Sequence, residues 1–140
     1  MIKYIGGLFI LIICFTACKY EDGPKFSLRS KAHRAINTWY LDQAFEEGTN
    51  KTDDYKNAYF NYQIAIKKDK SYEIKYRPFN VFDYKETGTW DFSGDKSTIN
   101  FTPQSGSNNV SKWKILRLKE TETWVVQAIN GKDVELHLKD

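Results

Sequence analysis

Between Asn37 and Leu138, apolar side chains recur at every second position in eight short runs separated by turn residues. That period builds strands with one buried face. Asn37 to Phe45 places Trp39, Leu41 and Phe45 on one face, and Tyr59 to Lys67 does the same with Tyr62, Ile64 and Ile66. Ser71 to Tyr76 aligns Tyr72, Ile74 and Tyr76. Tyr84 to Phe92 aligns Gly88, Trp90 and Phe92 opposite Lys85, Thr87, Thr89 and Asp91. Thr98 to Thr102 sets Ile99 beside Phe101. Lys112 to Leu118 carries Trp113 and Ile115 on one side and Leu116 and Leu118 on the other, which leaves its inward face open. Thr123 to Ile129 and Val134 to Leu138 flank Asn130-Gly131, a two-residue hairpin signal because both turn residues accept positive φ.

Consecutive strands joined by short turns pair with their sequence neighbours, so the expected fold is all-β, an up-and-down antiparallel meander. About eight twisted strands can close on themselves, which removes the exposed edges and makes a small barrel. An open sandwich of two sheets with Greek-key crossings is the alternative, permitted by the long loops at Glu46 to Asn57 and Pro103 to Asn109. Ser27 to Ile36 has helical spacing at Leu28, Ala32 and Ala35 or Ile36, with Ser27 as N-cap, and predicts one short helix before the first strand. Aromatic residues make up 16% of the chain, so the interior is expected to be built largely from rings.

The first residues point outside the cytoplasm. Met1 to Lys3 is a short basic region, and Tyr4 to Phe15 is an uncharged apolar run, shorter than the ~20 residues that span a bilayer as a helix. Phe15-Thr16-Ala17-Cys18 resembles the lipobox of bacterial lipoproteins, in which small residues precede the cysteine that becomes residue one and carries the lipid. Cys14, the other cysteine, follows bulky Ile13 and is the poorer acceptor; an ordinary signal peptide cut near Ala17 is the competing reading. The expected organisation is a signal peptide over 1–17, a lipid-anchored tether over 18–26 and one domain over 27–140. A diacylglycerol and an N-acyl chain such as palmitate on Cys18 would anchor the protein stably. Lys19 stands where an inner-membrane retention signal places Asp, and the Lys-then-acidic tether is similar to that of Bacteroidota-type surface lipoproteins. The expected address is the outer membrane, on its periplasmic face or at the cell surface.

The net charge of +3, with acidic and basic residues interleaved, gives no reason to expect a nucleic-acid partner. Nothing in the motifs points to catalysis or to a cofactor. There is no nucleophile elbow, phosphate loop, zinc-protease pair or dinucleotide fingerprint, and both cysteines lie in or beside the leader. His33 and His137 read as solvated, Asp53-Asp54 and Glu120 with Glu122 as turn carboxylates, and Lys25, Arg29, Lys31 and Arg34 as a basic helix face. No metal site is expected. The remaining candidate is the barrel interior, where the strand parities direct Trp39, Tyr62, Tyr72, Tyr76, Trp90, Phe92, Phe101 and Trp124 inward. Those rings either wall a cavity for a small hydrophobic ligand or fill the barrel as a packed core. In the second case an outer-membrane protein partner would dock on outer aromatics, with Tyr55, Tyr59, Tyr84 and the Pro103 to Asn109 loop as the places to look.

Asn37-Thr38-Trp39 after a short helix, Gly88-Thr89-Trp90 in a mid-chain strand, and the stretch from Trp113 to Leu138 together resemble the lipocalin-like domains of Bacteroidota lipoproteins. The resemblance covers roughly Ala35 to Asp140. It implies a meander barrel, often of unknown ligand, and carries over no catalytic residue.

Overall fold

The computed structural model describes residues 30–105 and 109–140. The expected signal peptide, Cys18 and the tether lie outside the described residues. The chain enters through α1 (Lys31–Ala35), where the Ser30 hydroxyl accepts a hydrogen bond from the His33 amide at 3.2 Å, so Ser30, not Ser27, is the N-cap. Nine strands follow: β1 (Thr38–Glu46), β2 (Thr49–Asn50), β3 (Tyr59–Ile66), β4 (Ser71–Pro78), β5 (Tyr84–Phe92), β6 (Thr98–Pro103), β7 (Ser111–Leu118), β8 (Glu122–Ile129) and β9 (Lys132–Lys139). A second helix, α2 (Thr52–Ala58), lies between β2 and β3.

All pairings are antiparallel, and β1 and β3 to β9 pair in sequence order. β1 also pairs with β9, from Tyr40 with Lys139 to Glu46 with Val134, which closes the eight strands into a barrel and rules out the open sandwich. β2 is a two-residue addition to β1. The stretch Glu46 to Asn57 is therefore not a plain loop. Glu47 and Gly48 both have positive φ, 48° and 80°, and turn the chain into β2 before α2 begins. Asn130 and Gly131 make the expected hairpin turn with φ of 50° and 77°.

Strict alternation fails at three bulges, each of which moves side chains between faces. The β1–β9 register skips Asp42, so Leu41 and Ala44 face inward while Phe45 turns to the outer face against His137. The β3–β4 register shifts between Phe60 and Gln63, where Asn61 takes φ 55°, and both Tyr59 and Tyr62 reach the interior. The β7–β8 register skips Leu116, which sends Trp113, Ile115 and Leu118 all inward and settles the ambiguous face of that strand.

The end where α1 enters is filled. Trp39 is fully buried and its indole donates to the Ala35 carbonyl at 3.0 Å, tying α1 to the barrel. The Trp90 indole donates to the Lys67 carbonyl at 2.8 Å. Tyr72, Phe101 and Trp113 pack edge to face, with ring centroids 5.1 and 4.8 Å apart, and half-buried Phe92 packs edge-on to Trp90 at 5.7 Å.

Trp124 is the exception among the residues expected inside. In the β8–β9 register Thr123 faces Leu138 and Val125 faces Leu136, and all four are buried, so Trp124 and its partner His137 must point outward. The Trp124 ring stacks on His137 at 4.1 Å with Arg117 over it at 4.6 Å, and its indole donates to Glu122 at 2.7 Å. His137 is accordingly largely covered, held by Glu135 and Gln43 and not simply solvated.

Candidate functional site

The opposite end of the barrel is hollow. β1 pairs with β3 only over Thr38 to Tyr40, beyond which the two strands separate, and α2 crosses the gap. Beneath α2 lies a cavity of about 180 Å³. Its walls are Tyr59 and Tyr62 from β3, Ile74 and Tyr76 from β4, Tyr84 and Glu86 from β5, and Gln127, Ile129, Leu41 and Leu136 from β8, β9 and β1. Tyr55 of α2 reaches in from above, and its hydroxyl donates to Glu46 at 2.7 Å, which fastens the helix to the end of β1. The mouth opens between α2, Pro78, Phe79 and the Asn130 turn.

The tyrosines form one connected cluster. Ring centroids lie 5.1 Å apart for Tyr59 and Tyr76, 6.1 Å for Tyr62 and Tyr76, and 4.7 Å for Tyr76 and Tyr84, and Tyr55 stacks on Tyr59 at 6.1 Å. At its floor the Glu86 carboxylate accepts hydrogen bonds from Tyr72 at 2.7 Å and Tyr84 at 3.0 Å, one on each oxygen. The hydroxyls of Tyr59, Tyr62 and Tyr76 have no hydrogen-bond partner among the described residues.

Burial pushes the Tyr62 phenol upward, and the negative charge of Glu86 adds to this. Burial also raises Tyr72, reinforced by its bond to Glu86, and moves Tyr76 up to about 12. Tyr55, Tyr59 and Tyr84 shift in the same direction for the same first cause. Outside the cavity, the bond from Tyr55 lowers the Glu46 carboxyl.

Of the eight residues expected to point inward, Tyr62 and Tyr76 line the cavity. Tyr72 stands just below it, bonded to Glu86. Trp39, Trp90, Phe92 and Phe101 belong to the packed end, and Trp124 to the outer face. Tyr55, Tyr59 and Tyr84, expected on the outside, are walls of the cavity. Glu86 is the residue that sequence reasoning passes over, although it shares the parity of Gly88 and Trp90 and is thereby directed inward. The turn carboxylates gather no site: Asp53 and Asp54 are exposed on α2, Lys51 pairs with Asp54 at 3.7 Å, and Glu122 is engaged by Arg117 and Trp124.

The closed eight-stranded meander has a counterpart among solved structures. The crystal structure of a lipocalin-like protein from Bacteroides uniformis superposes with a TM-score of 0.55 over 76% of this chain and 98% of that one. The fold is lipocalin-like. Sequence identity between the two is 11%, so the likeness is one of fold alone. No family model and no curated protein matches the sequence.

Proposed function

We propose that this chain is a non-catalytic binding module for a small, largely apolar molecule, tethered to the outer membrane by a lipid on Cys18. The observation that carries the reading is the cavity of about 180 Å³, walled by five tyrosine rings of which Tyr59, Tyr62 and Tyr76 keep their hydroxyls free, in a barrel that is otherwise packed with side chains. Largely apolar concavities with a few convergent polar groups are where small molecules bind. An engineered void of about 150 Å³ takes benzene, which sets the scale of the ligand.

Native mass spectrometry of the domain from about Ser27 onward, purified gently from its host, is the test. A reproducible extra mass lost on denaturation is expected, and a bare mass even after incubation with small aromatic compounds would overturn the reading. Replacing Cys18 with Ser is expected to release the protein from membranes; continued tight association would refute the anchor.

A second reading rests on the β4–β5 turn at the rim of the mouth. Phe79, Val81 and Phe82 are 63%, 73% and 56% exposed there, three apolar side chains within four residues. Such a tip suits docking of an outer-membrane protein. Replacing all three with Ser should abolish capture of that partner while leaving ligand binding intact.

A further inference from the structure

The cavity has a charge inventory that narrows the ligand. Glu86 is the only carboxylate among its described lining residues, and no lysine, arginine or histidine is among them. Lys85, the preceding residue in the chain, lies on the outer face and pairs with Glu73 at 2.8 Å, and Lys75 of β4 pairs with the same carboxylate at 2.7 Å. The positive charges nearest in sequence are thus turned outward and already engaged. What remains inside is one negative group held by two phenol donors, Tyr72 and Tyr84, at the floor of a half-enclosed apolar space.

A negative charge partly shielded from water, with no counter-charge beside it, is left under-compensated, and two hydrogen bonds offset only part of that. Above it stand the rings of Tyr59, Tyr62, Tyr76 and Tyr84, whose faces carry partial negative charge and attract a cation within about 6 Å. Carboxylate and ring faces therefore favour the same kind of guest. An anion such as a fatty acid carboxylate would meet Glu86 with no cation to offset the repulsion.

We infer that the cavity takes an organic monocation, a protonated amine or quaternary ammonium bearing one ring or a short apolar chain, with its charge beside Glu86 and its apolar part among the tyrosines. This inference rests on the reading of the cavity as a binding site and narrows the ligand class. The Tyr59, Tyr62 and Tyr76 hydroxyls add acceptors for the N–H groups of an amine, while a trimethylammonium would use the ring faces.

The test uses the full chain, purified in a neutral maltoside detergent, and three probes of matched size: benzylammonium, benzyl alcohol and benzoate. Binding is followed by titration calorimetry near neutral pH and by quenching of tyrosine fluorescence. Benzylammonium is expected to bind at least tenfold more tightly than benzyl alcohol, with benzoate weaker than both. Glu86→Gln is expected to reduce the ratio of benzylammonium to benzyl alcohol affinity to about one, whatever it does to the two affinities together. Equal affinity for benzylammonium and benzyl alcohol in the wild-type protein would overturn the cation assignment and leave the binding site standing. Failure of all three to bind would remove the site and the assignment with it. The wild-type comparison decides the matter even where Glu86→Gln does not fold.

Discussion

Tyr72 lies directly across from Gly88 in the β4–β5 pair, and its ring occupies the space that a side chain on Gly88 would need. A Cβ at Gly88 would stand 2.7 Å from the Tyr72 ring and 2.9 Å from the Pro103 Cα, and would collide with the Thr102 carbonyl oxygen. Two of those neighbours are backbone of β6, so they cannot swing aside. Gly88→Ala is therefore expected to destabilise the domain by about 1–3 kcal/mol, as overpacking does elsewhere. Because Tyr72 also holds Glu86, the same change should disturb the cavity floor. Urea unfolding of the two proteins checks the first effect, and a change in ligand affinity checks the second.

Alternation reveals the eight barrel strands because one face of each is buried, and the Asn130-Gly131 turn declares itself by chemistry. The bulges are harder to read. One extra residue, such as Asp42, Asn61 or Leu116, has no compositional mark, yet it reverses the face of every residue beyond it in that strand. This is why Phe45 leaves the interior and why Tyr59 joins Tyr62 inside. Trp124 misleads for a different reason: Thr123 to Ile129 carries apolar residues on both parities, and the register with Leu136 and Leu138 reserves the inner face for Thr123 and Val125. The cavity itself depends on where β1 and β3 part and where α2 lies, relationships between distant segments that a local pattern does not encode.

The tyrosine cluster predicts an alkaline signature. Burial raises the phenol pKa of Tyr55, Tyr59, Tyr62, Tyr72, Tyr76 and Tyr84 above the ordinary 10.0, with Tyr76 at about 12. The folded state thus favours the neutral phenol, and that contribution is complete below the unfolded value of 10.0 and is lost as pH rises through the folded values. Absorbance titration near 295 nm should show these six ionising late, together with unfolding. Normal titration of these six tyrosines near pH 10 in a still-folded protein would contradict the buried cluster.

The two faces of the barrel give tryptophans of unequal weight. Trp39→Ala removes a fully buried ring and the bond to Ala35 that holds α1, and is expected to cost about 3–5 kcal/mol. Trp124→Ala removes the stack between Arg117 and His137 and the indole bond to Glu122 on the outer face, together worth about 1–2 kcal/mol. Chemical denaturation of both variants measures the difference, and equal losses would place Trp124 in the core.

On the outer face of β4 and β5, Glu73 sits between Lys75 and Lys85, whose hydrogen bonds lower its carboxyl from 4.5 to about 2. A depressed folded value means that the stabilisation is present above the unfolded pKa and is lost as pH falls through the folded one. The window is therefore about pH 4.5 down to 2. Solvent screening keeps the effect small, since both lysines are about half exposed. Melting temperatures of wild type and Glu73→Gln should converge across this window, and parallel curves would show that the triad contributes nothing.

Tyr55 predicts how the mouth is controlled. Its ring forms part of the cavity roof, and its hydroxyl, bonded to Glu46, is the side-chain hydrogen bond that joins α2 to β1 besides the Thr52 bonds to Ala44. Tyr55→Phe keeps the ring and its stack on Tyr59 but removes that bond, so the pocket walls persist while the helix is held less firmly. Two results should follow. Amide exchange in 52–58 should quicken while exchange in the filled end stays unchanged, because the two ends share no part of this contact. The Glu46 carboxyl should titrate closer to the ordinary 4.5, since the lost phenol is the largest influence lowering it. Ligand should then enter and leave faster with little change in equilibrium affinity, provided α2 is the barrier to passage. Stopped-flow measurement of both rates checks this, and unchanged rates beside faster exchange would show that ligand passes elsewhere along the rim.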